Sequence, residues 1–330
     1  MIPKFTMESI PSKIPTILQE PKSHTLTLEA HDSPQPSPTQ YLIQVHATSI
    51  TSGELLWDEP NNLPDPIPGY DLAGVILQVP AGGVAKPRFK PGDKIYALTS
   101  FYRQGNARSL TVAEEEELAL IPKGLAFEDA ASVPLSVLSV VQGFEKVQGG
   151  LEGKRVLVVG ASGAVGVWAV QVARKSGAKA VVGMCSGREK EELVMKLGAT
   201  DVIDYRKIEL NEWVSEDEDG RLFDIVFDCA GGKPLEDAWR VVKERGTVVS
   251  IAEPPEGKRP KEGLRERVKS VWFIVDPDGR MLESVTKGID KGEYVPVVDS
   301  VWNLQDYEKA FEIVQNGHPK GKVVLKVKEK

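Results

Sequence analysis

The chain has 330 residues, with 41 lysines and arginines against 48 aspartates and glutamates, for a formal net charge of −7. That length suits two domains with ample core, and the mild acidity argues against nucleic acid as a partner. No apolar run approaches the ~20 residues of a membrane span, Met1–Ser12 carries neither a signal-peptide nor a transit-peptide pattern, and the two cysteines, Cys185 and Cys229, can build neither a Cys₄ zinc site nor a disulfide framework, which fits a reducing cytoplasmic compartment.

Residues 1 to about 125 read as β-rich. Thr25–Leu28 and Tyr41–Val45 are strand-like on either side of the proline-broken turn Ser33–Pro38, and Asn61–Gly69 is a loop with three prolines. Asp71–Val79 is a further strand, Phe89–Asp93 a turn, and Lys94–Ala97 the strand after it. The acidic run Glu114–Glu117 reads as a solvated face. From Ala126 the pattern becomes alternating helix and strand. Glu128–Gln148 is helical with a break near Pro134, and strands follow at Val156–Val159, Ala180–Met184, Asp201–Asp204, Phe223–Phe227, Thr247–Ile251 and Val271–Val275. Helices lie between them at Val167–Lys175, Glu189–Leu197 and Pro234–Val242. Such alternation means a doubly wound parallel sheet. Glu253–Arg267 is a charged loop, Asp278–Gly288 a helix, and the tail holds a helix at Leu304–Asn316 and a strand at Lys322–Val327.

The chemistry concentrates in the strand–turn–helix–strand unit Lys154–Cys185. Its turn carries Gly160, Ser162, Gly163, Ala164, Val165 and Gly166, with Ala161 where a G-x-G-x-x-G fingerprint has its first glycine. Gly163 admits a close pyrophosphate, Gly166 lets helix and strand pack tightly, and the first N–H groups of the helix point at the phosphates. An NAD site places an acid at the end of the second strand to bind the ribose 2′-OH. Here that end reads Gly183-Met-Cys-Ser-Gly-Arg-Glu-Lys190, with no acid at Cys185 or Ser186. Ser186, Arg188 and Lys190 can instead donate to a 2′-phosphate, which points to NADP(H).

In the order of the chain, Gly69-Tyr-Asp-Leu-Ala-Gly74, Phe89-Lys-Pro-Gly-Asp93, Ala130-Ala-Ser-Val-Pro-Leu135, Gly160-Ala-Ser-Gly-Ala-Val-Gly166, Leu197–Tyr205, Asp228-Cys-Ala-Gly-Gly232 and His318–Val324 together resemble the medium-chain dehydrogenase/reductase superfamily, in its zinc-free quinone oxidoreductase branch. The resemblance implies a GroES-like catalytic domain from both ends of the chain (1–125 and 293–330), a Rossmann NADP-binding domain inserted at 126–292, and a cleft between them for nicotinamide and substrate. It implies that Tyr205 joins the 2′-phosphate site, that Ser139 meets the nicotinamide end, that Gly231 and Gly232 leave room for the ribose, and that Lys322 belongs to the cofactor set. Relatives that use zinc place ligands where this chain has Thr51, Tyr70 and Leu135, none of them a ligand. The scattered His24, His31, His46 and His318 offer no replacement, and each reads as a surface or hydrogen-bonded histidine. Many relatives carry Asn-Pro-x-Asp in the first catalytic loop, and this chain has Thr51-Ser-Gly-Glu54. Tyr70, Thr51 and Glu54 are thus the candidate catalytic residues.

The implied activity is NADPH-dependent reduction of quinones or of the activated C=C of α,β-unsaturated carbonyls, in a homodimer paired through Val271–Val275. The alternatives are an enoyl reductase acting on a carrier-bound chain and a non-catalytic NADPH-binding protein.

Overall fold

The computed structural model describes residues 10–58, 62–82 and 87–328, without the side chains of 218 and 219. The targeting reading of Met1–Ser12 therefore lies, up to Ser9, outside the described residues, as does Asn61. Packing divides the chain into one unit of residues 1–135, 276–292 and 296–330 and a second of 136–275 and 293–295.

The first unit opens with the antiparallel hairpin of β1 (Lys13–Gln19) and β2 (Leu26–Asp32). Then come β3 (Tyr41–Ile50), β4 (Asp71–Gln78), β5 (Lys94–Leu98), β6 (Leu110–Ala113) and β7 (Leu118–Leu120). β3 is almost wholly buried, with only Gln44 and His46 partly exposed, although its second half also carries the polar Thr48 and Ser49. β6 and β7, of four and three residues, are too short to carry a periodic pattern, and Pro15 interrupts the strand signal of β1. The acidic run is only in part a solvated face, with Glu116 exposed and Glu114 and Glu115 half-buried. Glu117 is buried and pairs with Arg103, and its carboxylate accepts the backbone N–H groups of Ser100 and Glu114 at 2.9 and 2.8 Å. These donors and the guanidinium stand in for the water it gives up. His46 also departs from expectation. It stacks on Phe127 with ring centroids 4.0 Å apart, and its Nε2 has no hydrogen-bond partner among the described residues.

The second unit is built on β8 (Arg155–Val159), β9 (Ala180–Cys185), β10 (Asp201–Asp204), β11 (Phe223–Asp228), β12 (Val242–Ser250) and β13 (Lys269–Trp272). They pair in parallel in the order β10-β9-β8-β11-β12-β13, the doubly wound Rossmann arrangement. Val156 to Val159 are at most 1 % exposed, as both-sided cover by helices demands.

The chain then returns to the first unit earlier than expected. Helix Gly279–Asp290 packs on β5 and β7. A Cβ on Gly279 would lie 2.3 Å from the Leu118 carbonyl oxygen, and Tyr96 donates its hydroxyl to the Leu282 carbonyl at 3.1 Å. Residues 126–135 are held there too, through Phe127 on His46, so the expected boundaries at 125 and 292 both shift. β14 (Val298–Asn303) and β15 (Lys322–Lys326) complete a seven-stranded sheet ordered β14-β15-β3-β4-β5-β7, with β6 on β3. β15 lies antiparallel to β3 with Val323 opposite Ile50, which delivers Lys322 to the end of β3.

Candidate active site

In the second unit the turn after β8 leads into helix Gly166–Lys175, whose N-terminus has no side-chain cap. A Cβ on Gly166 would stand 2.2 Å from the Gly160 carbonyl oxygen and 2.7 Å from Ala161 Cα, so only glycine lets helix and turn approach. Uncapped N–H groups at a close glycine turn fit a dinucleotide's pyrophosphate. Gly163 has only the Gly160 oxygen near it, at 3.4 Å, which leaves that side of the turn open. The loop after β11 is organised by Asp228. Its buried carboxylate accepts N–H groups of Ala230 and Gly231 at 3.1 Å and the Ser250 hydroxyl at 2.8 Å. The Gly232 N–H turns to the Glu253 carboxylate instead. Ser139, on helix Pro134–Glu145, belongs to this unit and is buried.

At the end of β9, Ser186 is buried and Gly187 opens helix Arg188–Lys196. Arg188 extends into solvent and pairs with Glu192 at 2.8 Å, so its guanidinium is engaged along its own helix. Lys190 makes no ion pair among the described residues, and Tyr205 is exposed. Asp204 stands in register beside Cys185, an acid that the spacing along one strand did not reveal. Lys207 answers it, bonding Asp204 at 2.9 Å and Glu191 at 3.1 Å. The side-chain hydrogen bond from Lys207 lowers Asp204 below the usual carboxylate range. Lys207 was missed because its importance depends on strand pairing between β9 and β10.

The candidate catalytic residues gather in the first unit. Gly69, at φ 83° and with Thr48 Oγ1 2.6 Å from where its Cβ would be, sets the turn before Tyr70. The Tyr70 carbonyl is fixed by the Thr99 N–H and hydroxyl at 2.9 and 3.1 Å. The Tyr70 ring is buried against Phe101 and Trp57, with centroids 5.1 and 6.0 Å away. Among the described residues its hydroxyl has only the Ile67 carbonyl as acceptor, at a long 3.4 Å. Burial first, then the Glu54 charge, raises this phenol well above its usual value, and Arg108 opposes the shift.

Thr51 and Lys322 meet: Lys322 Nζ donates to Thr51 Oγ1 at 2.7 Å and pairs with Asp71 Oδ2 at 3.0 Å, with both charged side chains at most 1 % exposed. Asp71 also accepts the Ser49 hydroxyl at 2.5 Å and the Leu135 N–H at 2.7 Å. The structure therefore gives Lys322 partners in the β-rich unit, although the resemblance grouped it with the cofactor residues. Such a buried pair tolerates loss of neither partner, since a lone buried charge is costly.

The family model described as "Zinc-binding dehydrogenase" matches residues 197–325. The "Probable zinc-binding oxidoreductase, mitochondrial" of Arthroderma benhamiae is 38% identical over 98% of this chain and 99% of its own length. The "NADPH-dependent alkenal/one oxidoreductase, chloroplastic" of Arabidopsis thaliana is 32% identical over 78% of this chain and 63% of its own. Among solved structures, the quinone oxidoreductase from Coxiella burnetii superposes with a TM-score of 0.84 at 22% identity, covering 96% of this chain and all of that one, and so shares the fold. Two of these names mention zinc, and the donors present here do not fit it. Among the described residues no three His, Cys, Asp or Glu side chains are grouped to hold a metal. The Thr51 hydroxyl receives an ammonium, Tyr70 is a phenol, and Leu135 offers Asp71 only its N–H.

Proposed function

The chain belongs to the medium-chain dehydrogenase/reductase superfamily, among its quinone oxidoreductase-like members, and from that premise we propose that it is an NADPH-dependent, zinc-independent reductase of quinones or of the activated C=C of α,β-unsaturated carbonyls. Relatives named as alkenal/one and 2-methylene-furan-3-one reductases support the substrate class. The single observation that carries the reading is the surroundings of Tyr70, a buried phenol packed against Trp57 and Phe101 and within the electrostatic reach of the buried Glu54 carboxyl.

In this reading the residues Gly160–Gly166 would hold the pyrophosphate, and Ser186, Lys190 and Tyr205 the 2′-phosphate, with Arg188 free to join if it releases Glu192. Ser139, Gly231 and Gly232 would meet the nicotinamide end. Bound NADPH supplies a hydride. The protein's own part is to hold the substrate: the Tyr70 hydroxyl donates to the carbonyl oxygen as charge develops there, and the aromatic wall of Trp57 and Phe101 excludes water. The reading includes a homodimer and a cytoplasmic location. The A. benhamiae relative is named mitochondrial, and a fluorescent fusion distinguishes the two compartments.

Stopped-flow oxidation of bound NADPH by a panel of enones and quinones, with NADH in parallel, tests the assignment. Turnover of at least one class with NADPH preferred is expected. Tight NADPH binding without oxidation by any member overturns it in favour of a non-catalytic binding protein.

A further inference from the structure

Glu54 begins the short 3-10 turn Glu54–Leu56. The turn sends Leu56 outward at 66% exposure and Glu54 inward at 3%. Neither carboxyl oxygen has a hydrogen-bond partner among the described residues. The backbone N–H groups of Thr51 and Gly69 lie close enough only to favour the anion weakly. A carboxylate buried without donors is costly, and a carboxylic acid in the same place is far less so.

The charges that face it do not reverse this. Lys322 favours the anion, but its ammonium already serves Asp71 and Thr51. Asp71 opposes a second negative charge. Tyr70 is neutral, and Arg108 acts on Tyr70 rather than on Glu54. Desolvation dominates and pushes the Glu54 carboxyl up to about 8. The group is therefore a proton-bearing acid at neutral pH, buried with both oxygens unpartnered among the described residues and within electrostatic reach of the phenol proposed to hold the substrate oxygen.

Taking the enone-reductase reading as given, we propose that Glu54 is the acid that delivers the proton to the substrate's α-carbon. When hydride reaches the β-carbon, the C=C electron pair moves onto the carbonyl oxygen, giving an enolate held by Tyr70. The Glu54 O–H bond then breaks, a C–H bond forms at the α-carbon, and the carboxylate left behind recovers a proton from water. The sum is enone, NADPH and one proton giving saturated ketone and NADP⁺. A quinone makes no such demand. Its two-electron reduction leaves the charge on oxygen, where Tyr70 holds it until the product is released and takes its proton from solvent. Glu54 should thus matter for enones and not for quinones, a division that a merely structural role would not produce.

The test uses the full chain and its Glu54→Gln and Glu54→Asp variants. An infrared difference spectrum, wild type minus Glu54→Gln, should show a carboxylic-acid C=O band at pH 7 that vanishes as pH rises past about 8. Glu54→Gln should lower kcat for an enone about a hundred-fold while sparing a quinone and the NADPH dissociation constant. Glu54→Asp should recover part of the loss. Should the Gln variant not fold, wild-type kcat against pH carries the same test, falling above about 8 with the enone and staying flat with the quinone. Absence of the infrared band, full enone activity in Glu54→Gln, equal loss with both substrates, or identical pH profiles overturns the proposal. If wild type turns over neither substrate, the functional reading and the proton-delivery role fall together, and the infrared band still reports whether Glu54 holds its proton.

Discussion

Tyr70 and Glu54 are buried acids of different strength within electrostatic reach of each other, and burial sets both. The phenol, raised above its usual range, is a hydrogen-bond donor rather than a proton source. Tyr70→Phe removes only the hydroxyl, and kcat for an enone should fall about ten-fold with NADPH affinity near wild type. Steady-state kinetics with several enones and a quinone check this, and an unchanged kcat throughout would make Tyr70 a packing residue. The same burial shapes stability. Glu54 moves from its ordinary 4.5 to about 8 on folding, so its contribution is full below 4.5 and is lost as pH rises through 8. His46, desolvated against Phe127, moves from 6.5 to about 4, so its contribution is present above 6.5 and is lost as pH falls through 4. Calorimetric Tm against pH should therefore drop on both sides, with Glu54→Gln flattening the alkaline limb and His46→Gln the acid limb. At the other candidate site, Lys190 makes no ion pair among the described residues, whereas Arg188 is taken by Glu192. Lys190→Ala should raise the NADPH dissociation constant about ten-fold and leave NADH nearly unaffected, as one lost charge-assisted contact implies. Equal weakening of both cofactors in fluorescence titrations would assign Lys190 to the fold.

At the scale of elements, the turn and helix after β8 are an uncompromising piece of packing, because the Gly160 carbonyl oxygen occupies the space a Gly166 side chain would need. The opposite case is β13. It ends the six-stranded order, and Trp272 and Ile274, on it and just past it, are 42 % and 55 % exposed. An edge strand with unpaired backbone groups and apolar side chains invites a second copy of itself. Light scattering at micromolar concentration should report twice the 36.1 kDa of one chain, and a proline introduced at Val271 should return it to the monomer. A wild-type particle of single-chain mass would refute pairing at this edge.

For the whole molecule, the question raised by its relatives' names is the metal. The positions that the family resemblance sets against zinc ligands hold a hydroxyl engaged by Lys322, a phenol and a leucine. Elemental analysis after purification without chelators should find well under one zinc per chain, with activity unaffected by added chelator. Stoichiometric zinc that activity requires would contradict the donor chemistry. The ion pair that stands in this region joins β4 to β15, residues 71 and 322, and so ties the end of the chain to its beginning.

By itself the sequence determined the six parallel strands and the glycine turn, because these depend on local pattern: β-branched runs and a glycine where no side chain fits. The candidate residues Thr51, Glu54 and Tyr70 came from the family resemblance of short motifs. Only the tertiary structure decided what those residues became. Lys322 reaches Asp71 through the pairing of β15 with β3, and Asp204 and Lys207 come beside Cys185 through the pairing of β10 with β9. Helix Gly279–Asp290 docks on β5 and β7 and moves the unit boundary, and Glu117 leaves solvent for Arg103. Burial and partnership join residues far apart in the chain, and the state of a carboxyl such as Glu54 follows from what surrounds it: the same side chain is a solvated anion at the surface, and a neutral acid where burial outweighs the few groups that favour the charge.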